Sequence, residues 1–435
     1  MKRAVFLLWY VILLCCALCQ TSIAGDKMSL GLFNNKLRIG GDFYVRFETR
    51  SDYYIQNGRQ VSDHGISSRQ RLSLDFTPRK DMGVMFTILK AIDWNDSHPY
   101  LFPYAYDHGT DIQQAYLHLD RPMNLPLSIW AGRREVAYLN QRLIGHSYGW
   151  TNKPINFDGA GISLEGKMAK IDVFYLKKVL RNLDEAGTFN DNWFGNPMDL
   201  YGVWLTFKNI PFIQKIEPYI LINNDNNRND SITPGIRVYG KNGAFDYDIN
   251  LTTQFGHKYV NGKKLKRHAH AFYLDMGYTF GIPQKPRIGL QYNYASGDDN
   301  PDDHSYNTFD QLYGCVHGKY GLMDLFCWQN MHDIYLYGNA FITKRLKILC
   351  GAHSFWLADT HDGWYNCYKK VQRKDPTGDA DSYVGNELDL LMSYFFIDNF
   401  RLTAFYGHFF AGTYIKDTGK AKDADYSYFQ LEYRF

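Results

Sequence analysis

Residues 37–48 read LRIGGDFYVRFE. Leu37, Ile39, Gly41, Phe43, Val45 and Phe47 share one parity, and Arg38, Gly40, Asp42, Tyr44, Arg46 and Glu48 share the other. A period of two predicts a β-strand with one apolar and one polar face. The pattern returns at Leu72, Leu74 and Phe76 against Arg71, Ser73 and Asp75, and at Phe245, Tyr247, Ile249 and Leu251 against Asp246, Asp248 and Asn250. It returns again at Ile288, Leu290, Tyr292 and Tyr294, and closes the sequence at Phe429, Leu431, Tyr433 and Phe435.

Taken in order, such runs predict eighteen strands: 36–50, 66–78, 82–92, 111–120, 126–134, 157–166, 169–178, 198–208, 214–224, 232–240, 243–256, 268–280, 286–296, 331–343, 345–355, 383–396, 399–410 and 426–435. The gaps between them sort by parity. Gaps after even-numbered strands are short, as at Arg79–Asp81 and Ile397–Asp398. Most of those after odd-numbered strands are long, as at Ser51–Gly65, Glu135–Asn156, His257–Arg267, Gly297–Asn330 and Leu357–Ser382. Asp225–Ser231 is intermediate. An all-β chain with short turns on one rim and long loops on the other is the pattern of a transmembrane antiparallel β-barrel, with periplasmic turns and extracellular loops.

This architecture accounts for the composition. The 435 residues are 17% aromatic and only 21% charged, yet the mean hydropathy is −0.39, too polar for a helical membrane protein. A barrel strand shows lipid at every second residue, so it spans a membrane while half polar, with every backbone group paired inside the sheet. Aromatic residues at strand ends (Tyr44, Tyr175, Phe207, Tyr273, Phe280, Tyr394, Phe395, Phe396, Phe409 and Phe410) suit the interfacial girdles of such barrels, with Tyr44 directed into the lumen.

The N-terminus reads as a secretory signal peptide: Met1-Lys2-Arg3, an apolar run from Ala4 to Cys19, and a small-residue cleavage site at Ser22-Ile23-Ala24. The expected organisation is a leader over 1–24 and one barrel over 25–435. Removing Lys2 and Arg3 from 48 basic residues leaves 46 against 45 acidic ones, so no net field points to nucleic acid. Cys315, Cys327, Cys350 and Cys367 remain, enough for up to two disulfides in an exported chain. Phe435, ending an alternating strand, resembles the signal read by the outer-membrane barrel assembly machinery.

Three stretches resemble the alginate-export family of outer-membrane barrels. The first is Ala131-Gly132-Arg133-Arg134-Glu135, followed by Gln141-Arg142-Leu143-Ile144-Gly145, Trp150-Thr151-Asn152 and Phe157-Asp158-Gly159. The second is Ala295-Ser296-Gly297-Asp298 with Thr308-Phe309-Asp310, His317 and Tyr320-Gly321. The third is Val384-Gly385-Asn386-Glu387-Leu388-Asp389-Leu390 with Phe409-Phe410-Ala411-Gly412. Arg134 stands where the family usually has Gln. The resemblance implies an eighteen-stranded porin of the Gram-negative outer membrane, with loops folded into its pore. It also implies anionic or neutral saccharide solutes, or a polysaccharide.

A pore for anions needs a positive constriction. Arg46, Arg71, Arg134 and Arg287, with Arg38 and Arg69, fall on the lumen parity, and Arg133 and Arg142 lie in or beside the loop Glu135–Asn156. Arg133, Arg134 and Arg142 are the expected constriction, because a planar guanidinium donates two hydrogen bonds without losing its charge. Asp42, Glu48, Asp75, Glu135, Asp158, Glu387 and Asp389 are available as partners, which predicts a lumen of mixed charge.

The acidic run Gly297–His304 lacks EF-hand spacing and reads as a solvated loop. The basic run Lys263–His268 reads as a solvated hairpin tip, with contact to lipopolysaccharide phosphates as the alternative. No G-x-S-x-G, H-E-x-x-H or P-loop stands out, so no catalytic residue, metal site or cofactor is expected. A non-conducting adhesin or receptor is the alternative class, with an outer-membrane hydrolase behind it.

Overall fold

The computed structural model describes residues 30–32, 36–55, 59–94, 108–179, 199–224, 229–260 and 262–435. The leader over 1–24 lies outside these residues. The strands are β1 (Leu37–Ile55), β2 (Arg59–Arg79), β3 (Met82–Asp93), β4 (His108–Asp120), β5 (Leu127–Arg134) and β6 (Phe157–Glu165). They continue as β7 (Ala169–Lys178), β8 (Asp199–Ile210), β9 (Ile213–Asn224), β10 (Asn229–Asn242), β11 (Phe245–Val260) and β12 (Lys263–Thr279). The last six are β13 (Arg287–Ala295), β14 (Met331–Phe341), β15 (Leu346–Trp356), β16 (Tyr383–Ile397), β17 (Phe400–Ala411) and β18 (Ala424–Arg434).

Each strand pairs antiparallel with its sequence neighbours, and β18 returns to β1 through Asp42↔Arg434 to Ser51↔Asp425. The result is a closed 18-strand antiparallel barrel. Closure leaves no edge in lipid, which is the condition for crossing a membrane with strands. No described helix is long and apolar enough to cross a membrane.

The alternation sorts side chains as expected. Phe47, Leu117, Leu251, Leu336 and Phe429 are exposed on the outer wall, where lipid replaces water. Residues of the other parity point inward, where Tyr44, Arg46, Glu48, Asn250 and Gln430 are buried.

Two stretches expected to be long loops are strands instead. The β1–β2 ladder continues through Arg50↔Asp63, Tyr53↔Val61 and Ile55↔Arg59, past a bulge where Asp52 takes φ 46°. The β11–β12 ladder continues to Val260↔Lys263. Backbone hydrogen bonds hold a ladder whatever its side chains face, so the pairing persists after the alternating signal fades. The basic run Lys263–His268 is thus part of a paired strand.

The aromatic girdle also needs correction. Phe207, Phe280, Phe396 and Phe410 face outward, but Tyr273 and Phe409, like Tyr44, are buried inside the barrel. The four described cysteines are free thiols.

The interior is packed by loops. Residues 135–156, between β5 and β6, and residues 296–330, between β13 and β14, bring Leu143, Ile144, Phe309, Tyr320, Met323, Phe326 and Trp328 inside, each buried. Residues 357–382 add a small ribbon (Gly363–Tyr365 against Val371–Lys374), and residues 412–423 include the short helix α1 (Thr413–Asp417).

Candidate pore constriction

The wall formed by β18, β1 and β2 carries a column of charged side chains, because one parity of β1 faces inward and its register places Arg69 and Arg71 beside Tyr44 and Asp42. Arg69 Nε and Nη2 donate to Asp42 Oδ1 at 2.8 and 2.7 Å. Arg46 donates to Gln430 at 2.8 Å and to Glu48 at 3.3 Å, and Arg50 pairs with Glu48 at 2.9 Å. All four charged residues of that group on β1 are buried, so each ion must be matched for the fold to tolerate it.

The tip of loop 135–156 completes the matching. Arg69 Nη1 donates to the carbonyls of Tyr148 and Thr151, both at 2.9 Å, and Arg46 Nη2 donates to the Trp150 carbonyl at 2.6 Å. The Trp150 ring covers the Arg46 guanidinium at 3.8 Å, and Tyr44 and Tyr148 sandwich Arg69 at 4.5 Å each. Tyr148 closes the circuit by donating its hydroxyl to Asp42 Oδ2 at 2.6 Å. Cations stacked on aromatic faces gain roughly 0.5–2 kcal/mol each. Burial holds the His146 ring of the same loop below its ordinary value.

Loop 296–330 crosses opposite. Its backbone pairs with loop 135–156: Cys315 N donates to Gln141 O at 2.7 Å, Tyr313 N to Leu143 O at 2.9 Å and Gly145 N to Tyr313 O at 3.1 Å. A Cβ on Gly314 would meet the Arg142 carbonyl at 2.0 Å, so only glycine permits this approach. Glu387 Oε1, on β16, accepts the N–H groups of Leu322 at 2.7 Å and Met323 at 2.9 Å. Trp150 stacks on His317 at 3.5 Å, and His317 in turn meets Asp324 at 3.0 Å.

On the far wall Arg237 forms a two-pronged pair with Asp248 at 2.7 and 2.6 Å and reaches Glu217 at 3.3 Å. Arg287 bridges Asp246 and Asp275 at 2.6 and 3.3 Å. The lumen is therefore of mixed charge, with cations and carboxylates in register.

The expected site residues separate. Arg46, Arg71 and Arg287 face the lumen, with Arg71 against Glu135 at 3.3 Å and over the Tyr148 ring at 4.3 Å. Arg134 also faces inward, lying 5.0 Å from the Tyr116 ring and 5.2 Å from Trp130, and no carboxylate among the described residues is within ion-pair range of it. Arg142 is buried at the meeting of the two inner loops. Arg133 is the exception: it shares the outer face with Ile129 and Ala131 and grips Asp158 at 2.8 and 3.0 Å on the outside of the wall. The structure does not bring it to Arg134 or Arg142. Its expected place in the constriction fails because consecutive residues of a strand point to opposite faces.

The aromatic partners Tyr148 and Trp150 were not anticipated. Aromatics in an otherwise polar segment, Ser147-Tyr148-Gly149-Trp150, are the signal that marks them. Leu139, Asn140 and Gln141 all have positive φ (52°, 47° and 63°), a left-handed turn that costs roughly 1–2 kcal/mol per residue and ends at Arg142.

Comparison with known proteins agrees with this geometry. The chain has the fold of the Pseudomonas aeruginosa channel OccK11 (OpdR), with TM-score 0.59 at 14% identity over 95% of this chain and 99% of that one. The structure of P. aeruginosa OpdK with vanillate aligns with TM-score 0.60 at 12% identity, covering 91% and 98%. Acinetobacter baumannii OccAB4 aligns with TM-score 0.59 at 9% identity, again covering 91% and 98%. No curated protein matches the sequence. The family model for alginate export matches residues 35–429. With a barrel of the outer-membrane porin type built around inward-folded loops, the chain belongs to the alginate-export family.

Proposed function

We propose that the protein is a passive channel of the bacterial outer membrane for hydrophilic solutes, with anionic or neutral saccharides as the class, and that it reaches the membrane after removal of residues 1–24. The observation that carries this proposal is the inner wall. Arg46, Arg69, Arg71, Arg237 and Arg287, each beside a carboxylate, face the interior of a barrel whose outer wall is apolar. A closed barrel with a charged, hydrogen-bonding interior offers water and polar solutes a path that lipid does not. Guanidinium forks suit carboxylates, and the aromatic faces beside them suit sugar rings. The role is transport, with no chemical step.

Planar-bilayer recording on the purified full chain tests the proposal. Stable ion-conducting steps are expected, and swelling of liposomes in sugars and sugar acids ranks the solutes. Barrels that insert but never conduct would reject it. That outcome would favour a non-conducting surface barrel, a second reading supported by the way loops 135–156 and 296–330 interlock across the interior.

A further inference from the structure

One lumen-facing arginine has none of its donors taken. Arg46, Arg69, Arg71, Arg237 and Arg287 each hold a carboxylate. Arg134 makes no ion pair and no hydrogen bond among the described residues, and it is only half-buried. Its guanidinium lies 5.0 Å from the Tyr116 ring and 5.2 Å from the Trp130 ring. Rings cover the faces of a guanidinium, whereas its N–H groups point outward in its own plane. Stacking therefore leaves every donor of the fork free.

The carboxylates around Arg134 and Tyr116 are committed elsewhere. Glu135 is held by Arg71 at 3.3 Å and by Gln113 at 3.0 Å, Asp75 by Arg38 at 2.5 Å, and Asp120 meets His118 at 2.6 Å. Other polar groups beside the fork are also open. Trp130 Nε1 and the hydroxyls of Tyr116 and Tyr138 have no hydrogen-bond partner among the described residues. The Arg134 charge acts on the Tyr138 hydroxyl, and the Tyr138 ring, from loop 135–156, is anchored on Phe174 at 4.7 Å.

The wall between these side chains is bare. Register sets Tyr116 opposite Gly132, Gly132 opposite Gly159 and Trp130 opposite Gly161. Three glycines at adjoining positions thus send no side chain into the lumen. A Cβ on Gly161 would meet Trp130 Nε1 at 2.3 Å, so the indole lies against β6 only because that position is glycine. A half-buried indole, a half-buried phenol ring and an unpaired guanidinium border this bare stretch of wall.

The chemistry of the border selects an occupant. A free planar fork matches a carboxylate, which accepts two parallel N–H groups. Exposed ring faces match the apolar face of another ring, and the open N–H and O–H groups match hydroxyls. We propose that Arg134, Trp130 and Tyr116 form a subsite of the lumen wall for an acid borne on a hydroxylated ring, so that sugar acids are held there and neutral sugars are not. The inference rests on the channel reading for its meaning and narrows it to one residue that tells acid from neutral solute.

Glucuronate is the probe, with glucose as its neutral match and acetate as a carboxylate without a ring. Binding to the purified full chain in detergent is followed by ligand NMR, which needs no conductance. Saturable glucuronate binding is expected, with glucose and acetate each weaker by about tenfold. Arg134→Gln should weaken glucuronate about tenfold or more. It leaves no carboxylate without its partner, so the urea midpoint should hold. Arg134→Lys keeps the charge without the fork and should weaken glucuronate about threefold or more, which keeps the test open if the glutamine variant does not fold. Arg133→Gln, on the outer wall, should change nothing. No saturable glucuronate binding, or equal binding by the native chain and both Arg134 variants, overturns the inference. Conductance is read separately: a conducting barrel that does not bind glucuronate would sink this inference alone, and a glucuronate-binding barrel that never conducts would sink the channel proposal alone.

Discussion

Arg69 Nη1 donates at 2.9 Å to the carbonyl oxygen of Tyr148, tying the barrel wall to the tip of an inner loop. The same guanidinium neutralises buried Asp42. Removing one member of a buried ion pair leaves the other without a match, at a cost of about 3–5 kcal/mol. Arg69→Gln should therefore lower the urea midpoint of the detergent-solubilised barrel and make single-channel current noisier as residues 146–152 loosen. Asp42→Asn with Arg69→Gln should recover part of the loss. A double variant no better than the single would show that the pair is not what holds the loop.

Glu387 should matter through its acceptor oxygen. Oε1 takes two backbone N–H groups, from Leu322 and Met323. Glu387→Gln keeps an acceptor there and should cost less than about 1 kcal/mol, whereas Glu387→Leu leaves two buried donors unmet and should cost about 2–4 kcal/mol. Hydrogen exchange at those two amides distinguishes the outcomes: fast in the leucine variant, slow in the glutamine variant.

The inward and outward arginines should separate in selectivity. Arg133→Gln removes a charge from the outer wall and should leave the anion-to-cation permeability ratio unchanged. Arg134→Gln and Arg71→Gln remove charge from the lumen and should each shift the ratio toward cations, about twofold or more, as expected for a charge at the pore lining. Reversal potentials in asymmetric salt give the ratio, and a shift with Arg133→Gln equal to that with Arg134→Gln would contradict the placement.

Asp298 gives loop 296–330 a pH dependence. Burial raises its carboxyl to about 6, against the Asn307 N–H that favours the charged form, and Asp362 adds to the rise. The folded state then binds more protons than the unfolded state between about pH 4 and about pH 6, so stability falls as pH rises through that window. Asp298→Asn keeps an acceptor for Asn307 N, held at 3.1 Å by the native carboxylate. It should remove the fall and stabilise the loop at pH 7 by about 1 kcal/mol after allowance for solvent screening. Urea midpoints at pH 4 and pH 7 measure the difference, and parallel behaviour of the variant and the native chain would exclude Asp298 as the source.

Gly314→Ala should disrupt the seam between the loops. The added methyl meets the Arg142 carbonyl at 2.0 Å, so one loop must move. A destabilisation of about 1–3 kcal/mol is expected, with protection lost at the Tyr313 and Cys315 amides.

The barrel was legible because its signal is periodic and repeated. Leu37 to Glu48 carries the rule for a whole strand, and every predicted strand has its counterpart in the structure. The rule failed where the alternation ends. Tyr53↔Val61 and Lys258↔Leu265 pair beyond the runs whose residues alternate, so the ladder outlasts the signal that predicts it. The constriction was legible only in part. Parity placed Arg46, Arg71 and Arg287 inside, as the structure does, but a loop has no parity. Nothing in the order of residues 135–156 says that Trp150 covers Arg46 or that Arg142 turns back toward Tyr273. Those contacts come from segments separated by more than a hundred residues.

The Arg133–Asp158 pair has a consequence for the lipid. It lies on the outer wall at the end of β5, a strand of eight residues. At about 3.3 Å per residue and a tilt near 40°, such a strand rises about 20 Å, short of the roughly 25 Å apolar belt of ordinary outer-membrane barrels. A fixed ion pair at its upper end puts headgroup chemistry where acyl chains would otherwise begin. The bilayer is therefore expected to thin toward β5 and the nine residues of β6, so that the depth of the acyl layer varies around the circumference of the barrel.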